Sequence, residues 1–190
     1  MRIYVASSWR NGYQPEVVNA LRELGHDVYD FRNPPQRSGF SWREIDDRWQ
    51  DWTVDEYIEN LNHPTAIAGF TSDFDAMQAA DACVLVMPCG RSAHIEAGYF
   101  VGANKKLLIL ASKSEPELMY KMADSIHAGL GSLLLRLQEI EGERISPKRE
   151  CCRASRLREH RIPELGVIHT DGGHPEHVPG HYGVYDDGRA

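Results

Sequence analysis

The chain has 190 residues, enough for one domain with a proper core and an appendage, and its 42% hydrophobic and 26% charged residues are those of a soluble globular protein. A formal charge of −7 argues against a nucleic-acid polymer as the main partner, because phosphate backbones demand an excess of Lys and Arg; a local basic pocket stays compatible with it. No apolar run is long enough to span a bilayer, the N-terminus turns polar too soon for a signal peptide, and four cysteines, two of them adjacent (Cys151 and Cys152), make no disulfide framework, so a reducing, cytoplasmic setting is expected.

Residues 3–6 form a short apolar run that reads as a buried strand. Pro15 opens a helical pattern with Val17, Val18, Leu21 and Leu24 at helix spacing, and Gly25 stops it. Residues 27–31 read as a second strand, so the first segment is a βαβ unit with a right-handed crossover and a parallel sheet. Residues 32–50 read as loop, and three of the four tryptophans, Trp42, Trp49 and Trp52, fall in or just beyond it; the fourth is Trp9. Residues 55–61 read as a short helix. Ser72 is taken as the N-cap of a helix running to Ala80. Residues 82–87, ACVLVM, have the unbroken apolar character of a central strand. A helix is expected over 93–103 and a buried strand over 106–111.

Farther on, residues 117–122 suggest a short helix, 123–127 a fifth strand, and 132–140 a closing helix with Leu at helical spacing. The elements together predict an α/β fold: a flavodoxin/Rossmann-like three-layer sandwich with a five-stranded, mostly parallel sheet. A domain over residues 1–142 is followed by an extension, 143–190, whose basic and then Gly-, His- and Pro-rich composition cannot fill a core and is expected to be flexible. Cys151, Cys152, His160, His169, His174, His177 and His181 match no metal-binding spacing well, and neither metal nor cofactor is assigned.

In an open parallel sheet, ligands bind beyond the carboxyl ends of the strands. Residues 7–12, SSWRNG, and 88–96, PCGRSAHIE, should meet there with the aromatic loop. Glu96 falls in the first turns of its helix, whose N-terminus favours an ionised carboxylate, and small neighbours leave room beside it. It can act as a nucleophile; it can equally be a helix-start Glu that complements the dipole. Asp73 and Asp75 supply a second carboxylate or merely an acidic first turn. Two carboxylates facing one pocket suit the cleavage of a glycosidic bond. Ser8 and Arg10 can hold an anion or be ordinary loop polarity. Trp42, Trp49 and Trp52 can stack on a flat heterocycle or pin the loop as a satellite hydrophobic cluster.

Taken together, "RIYVASSWRNG", "TSDFDAMQAADACVLVMP" and "SAHIEAGYFVGANKKLLIL" resemble the nucleoside 2-deoxyribosyltransferase superfamily, which includes deoxynucleoside 5′-monophosphate N-glycosidases and cytidylate hydrolases. The likeness covers residues 1–111 and, more loosely, extends to 140. It implies that Glu96 is the nucleophile, that Tyr4 hydrogen-bonds and orients it, and that Asp73, at the start of the preceding helix, contacts sugar or base. Ser8 and Arg10, flanking Trp9, match the residues that hold a 5′-phosphate, and Ser92 adds a donor. Where deoxyribosyltransferases carry a base-handling aspartate this chain has Gly90, which favours a phosphorylated substrate. Trp42 is assigned to the substrate through its loop, although that loop aligns with no counterpart in the family. The resemblance further implies a homodimer or higher homo-oligomer.

The expectation is therefore an N-glycosidase acting on a nucleoside or nucleoside 5′-monophosphate, by hydrolysis or transfer of the base. Two alternatives stand beside it: an NAD glycohydrolase like the Toll/interleukin-receptor domains, which share the architecture and a catalytic glutamate, and a non-catalytic nucleotide sensor.

Overall fold

The computed structural model describes residues 1–35, 38–113 and 116–145, which lie in the first of two units of the chain, Met1–Pro147. The extension from residue 146 on, with Cys151, Cys152 and the histidines from His160 to His181, lies outside the described residues.

Five strands, β1 (Arg2–Ala6), β2 (Asp27–Asp30), β3 (Ala82–Val86), β4 (Lys106–Leu110) and β5 (Ser125–His127), form one sheet in the order β2-β1-β3-β4-β5. Every pairing is parallel, so the sheet is wholly parallel where a mostly parallel one was expected. This is the flavodoxin-like order, and the chain reverses its direction of winding between β1 and β3.

The period-two alternation of the strands sorts the core into two layers. Ile3, Val5, Val84, Val86, Leu108 and Leu110 face α1 (Gln14–Glu23) and α5 (Leu130–Ile145), which contribute Val17, Val18, Leu21, Leu133, Leu137 and Ile140. Tyr4, Cys83, Leu85, Leu107 and Ile109 face the opposite way, onto α3 (Pro64–Ala79) and α4 (Arg91–Gly102), and pack with Met77, Ala93, Ala97 and Phe100. β3 is buried at every position, as its apolar run foretold.

The expected strands all form, with ends displaced by a residue or two. α1 ends where Gly25 adopts φ +84°, a conformation that glycine takes without strain. The larger departure is α3. It does not start at Ser72 but a full two turns earlier, with Pro64 in its first position and His63 accepting the Thr65 N–H at 3.2 Å. Ser72 and Asp73 are mid-helix, and the Ser72 hydroxyl pairs with Tyr29 rather than capping. The short helix expected over 117–122 forms as a 3-10 helix, Leu118–Met122.

The aromatic loop is more ordered than its composition suggests. Ser41 and Glu44 form a capping box on a 3-10 turn, Trp42–Glu44; a second such turn spans Trp49–Asp51; Thr53 and Glu56 form another box that starts α2 (Val54–Asn60).

Candidate active site

Tyr4 lies in the middle of β1, beside Tyr29 of β2 and Cys83 of β3 in register. The Tyr4 and Tyr29 rings stack at 5.4 Å with an 11° tilt, and Phe100 of α4 closes the other side of Tyr4 at 5.9 Å. Glu96 stands in the second turn of α4, half-buried above this aromatic floor. Asp73 reaches the same place from α3. The Tyr29 hydroxyl donates to Asp73 Oδ1 at 2.8 Å and lies 2.9 Å from Ser72 Oγ. Asp75, two residues on, is exposed. The predicted trio of Tyr4, Asp73 and Glu96 thus converges, and Tyr29 joins it.

Burial, and after it the charge of Asp73, push the Glu96 carboxyl up to about 7; the Tyr4 hydroxyl pulls the other way, with the weakest influence of the three. This reverses the expectation of a helix-start carboxylate held ionised by the dipole. Desolvation and a like charge outweigh a dipole effect of about 1 kcal/mol. Tyr4 Oη is buried and has no hydrogen-bond partner, so the bond to Glu96 that the resemblance implies is not formed. Burial, then Glu96 and then Asp73 push the Tyr4 phenol far above its ordinary range, so it stays a neutral donor. Burial and the Glu96 charge also raise the Cys83 thiol, and they push Cys89 up to about 11, so neither is a thiolate nucleophile at neutral pH.

The loops after β1 and β3 form the rim. Asn11, buried, donates through Nδ2 to Ser7 Oγ, Val86 O and Pro88 O at 3.1–3.2 Å, and its Oδ1 accepts the Tyr13 N–H at 3.0 Å. It ties the two loops together at the point where the winding reverses. Ser8 Oγ accepts the Arg10 N–H at 3.2 Å, and the Arg10 side chain is exposed. Trp9 is 54% exposed, edge-on to Phe31 at 5.3 Å. Its ring leaves no room for a side chain at Gly39, where a Cβ would lie 2.6 Å from it. Gly90 is the N-cap of α4 and Ser92, exposed, is in its first turn. Beside Gly12 and Gly90 there is open space.

Trp42 packs edge-on with Phe40 at 4.8 Å, Trp52 at 5.6 Å and Tyr57 at 6.0 Å, and Trp52 Nε1 donates to Asp46 at 2.8 Å. This is the satellite cluster that pins a long loop. It rests on α3 through Phe40, 3.0 Å from where a Cβ would stand at Gly69, one turn before Asp73 on the same helix face. The aromatic loop therefore borders the carboxyl pair.

Tyr29, Asn11 and Arg32 were not foreseen. Arg32 reaches the carbonyls of residues 8, 9 and 11, and a basic residue just after a strand end was the only local sign of it. On the opposite flank of α4 a cavity of about 340 Å³ is lined by Leu85, His94, Ala97, Tyr120 and Met122 among others; Glu96 and Asp73 do not line it. Among the described residues no group of three or more His, Cys, Asp or Glu is placed to hold a metal, and no helix is long and apolar enough to cross a membrane.

No protein-family model matches the chain, and no curated protein matches it. Among the solved structures similar to it are two enzymes. One is a 2-deoxyribosyltransferase from Bacillus psychrosaccharolyticus, at 18% identity and a TM-score of 0.47, covering 70% of this chain and 90% of that one. The other is the CMP N-glycosidase BcmB of Clostridium botulinum, at 16% identity and a TM-score of 0.42, covering 73% of this chain and 99% of that one.

Proposed function

We propose that this chain is an N-glycosidase of the nucleoside 2-deoxyribosyltransferase type, acting on a nucleoside or nucleoside 5′-monophosphate through a covalent glycosyl-glutamate. The observation that carries the reading is the Glu96 carboxyl, half-buried over the Tyr4–Tyr29 floor with Asp73 facing it, at the mouth of the parallel sheet.

Ionised Glu96 attacks C1′. The bond from C1′ to the base nitrogen breaks, and its electron pair leaves with the base, which takes up a proton. Asp73, held by the Tyr29 hydroxyl, binds the sugar or base, and the proton that the base takes up comes from solvent. The developing positive charge at C1′ is stabilised by the two carboxylates in a site of low dielectric. Water then adds at C1′, loses its proton, and releases Glu96 as the carboxylate; a second base in place of water gives transfer. Tyr4 restrains the Glu96 carboxyl by contact and by its neutral hydroxyl. Ser8, Trp9, Arg10, Gly90 and Ser92 form the substrate rim, and Trp42 supports it from the aromatic loop. The reading also takes residues 1–142 as the catalytic domain, with 143–190 as an extension, and a cytoplasmic homo-oligomer as the working form.

The test is release of free base from a panel of nucleosides, their 5′-monophosphates and NAD. Glu96→Ala should lower the rate by about a thousandfold or more, and mass spectrometry of the quenched wild type should find a glycosyl adduct on the peptide containing Glu96. Native turnover by Glu96→Ala overturns the assignment, and nicotinamide release alone moves it to NAD.

A further inference from the structure

Met87, Cys89 and His94 bring three soft donors together where β3 gives way to α4. Met87 packs into the core layer that faces α4, and Cys89, two residues on, keeps to the same layer by the alternation of an extended chain. His94 completes the first turn of α4. The Cys89 thiol donates to Met87 Sδ at 3.3 Å, and Cys89 Sγ lies 3.7 Å from His94 Nδ1. On the other side of the imidazole, Nε2 is 2.8 Å from Tyr120 Oη, which in turn is 3.6 Å from Met87 Sδ. The contacts close a circuit from Met87 through Cys89, His94 and Tyr120 back to Met87. Met87 is buried, Cys89 half-buried and His94 exposed, so the place is walled by the core and reached from solvent.

In a tetrahedral site with bonds of about 2.0–2.3 Å, neighbouring donors stand about 3.3–3.8 Å apart. Both separations from Cys89 Sγ fall in that range. Donor type then narrows the ion. A thioether, a thiol and one imidazole suit a soft ion such as Cu(I), whereas Ca²⁺ and Mg²⁺ demand oxygen. Zinc draws on Cys, His and carboxylates, and among the described residues no group of three such ligands is placed to hold it. Tyr120 supplies the outer partner that a metal-bound histidine uses. The His94 ring has two hydrogen-bonding states. In one, Nδ1–H donates to Gly90 O at 2.9 Å and the Tyr120 hydroxyl donates to Nε2. In the other, Nε2–H donates to Tyr120 Oη, and Nδ1 exchanges the Gly90 carbonyl for an ion.

We propose that Met87 Sδ, Cys89 Sγ and His94 Nδ1 bind one soft monovalent ion of the Cu(I) class, with Tyr120 as the outer partner of His94. On binding, the Cys89 S–H bond breaks, its proton passes to solvent, and the thiolate takes the ion. The imidazole proton moves from Nδ1 to Nε2, so His94 stays neutral. No electron is transferred. An ion held there clamps the loop after β3 to the first turn of the helix that carries Glu96, two residues beyond His94. The inference does not need the glycosidase reading, and its test reads binding and not turnover.

The experiment uses the full-length chain carrying Cys151→Ser and Cys152→Ser, so that the adjacent thiols do not compete for the ion. Cu(I) is supplied without oxygen as its acetonitrile complex and challenged with the chelator bicinchoninate; Ag(I), which is not oxidised in air, is titrated in parallel. One equivalent of Cu(I) should be retained, and X-ray absorption should find two sulfur atoms and one nitrogen around it. Met87→Leu, Cys89→Ser and His94→Gln should each weaken binding by about a hundredfold or more, and Tyr120→Phe by about tenfold, as for an outer partner. Loss of the ion to the chelator overturns the proposal, and so does a copper shell without sulfur, a reading that needs no variant. Unchanged affinity in Met87→Leu or in His94→Gln overturns it as well, being the mark of a lone thiol. Equal Ag(I) binding by Cys89→Ser overturns it too, being the mark of binding elsewhere in the chain.

Discussion

Tyr4 and Tyr29 stack as neighbours in register on β1 and β2, and each phenol faces a different carboxyl: Tyr29 donates to Asp73 at 2.8 Å, and Tyr4 lies against Glu96. The stack fixes the two carboxyls on one face of the sheet, although they belong to different helices. Glu96, desolvated and next to the Asp73 carboxylate, holds its proton to higher pH.

A pH dependence follows. Glu96 must be ionised to attack, so kcat/KM should rise as pH increases, with a midpoint near 7, where its titration lies. Asp73 is the second cause of the raised value, after burial. Asp73→Asn should therefore move the midpoint toward lower pH while lowering the rate by about a hundredfold. A midpoint that stays put in Asp73→Asn would show that the two carboxyls do not interact.

The same titration sets a stability trend. Glu96 titrates at about 7 in the folded chain and near 4.5 when unfolded. Between those values the folded state holds more protons, so stability falls as pH rises through that window and is fully relieved of this cost below about 4.5. Glu96→Gln removes the charge. At pH 8 it should be more stable than wild type, by on the order of 2 kcal/mol, and at pH 4 the two should differ little. Urea unfolding at both pH values measures this, and a variant less stable than wild type at pH 8 would contradict it.

Asn11 carries the join between the two rim loops. Asn11→Ala leaves the Pro88 carbonyl and the Tyr13 N–H without their side-chain partner and takes one of two donors from the Val86 carbonyl, which keeps Ser7 Oγ. Loss of these buried hydrogen bonds should cost about 2 kcal/mol in denaturant unfolding. Hydrogen exchange should quicken at residues 7–13 and 87–91 and stay slow in β4, which Asn11 does not touch.

The order of the elements was legible because each rests on local chemistry. An unbroken apolar run makes β3, Gly25 ends α1, and helix-spaced leucines make α5. The convergence of Tyr4, Asp73 and Glu96 was legible only through a resemblance of motifs. The start of α3 was missed because Ser72 and Asp73 look like a cap and an acidic first turn. The real start lies at His63 and Pro64, and the Ser72 hydroxyl is committed to Tyr29, 43 residues away.

What the sequence determined by itself was the parallel α/β frame, because period-two and helix-period apolar patterns bury themselves in only a few ways. Tertiary structure alone decided the state of the site. Glu96 takes its raised pKa from burial and from Asp73 on another helix. Arg32 gives its hydrogen bonds to residues 8, 9 and 11, more than twenty positions earlier. Desolvation and contacts between distant segments exist only once the sheet has brought them together, and no local pattern records them.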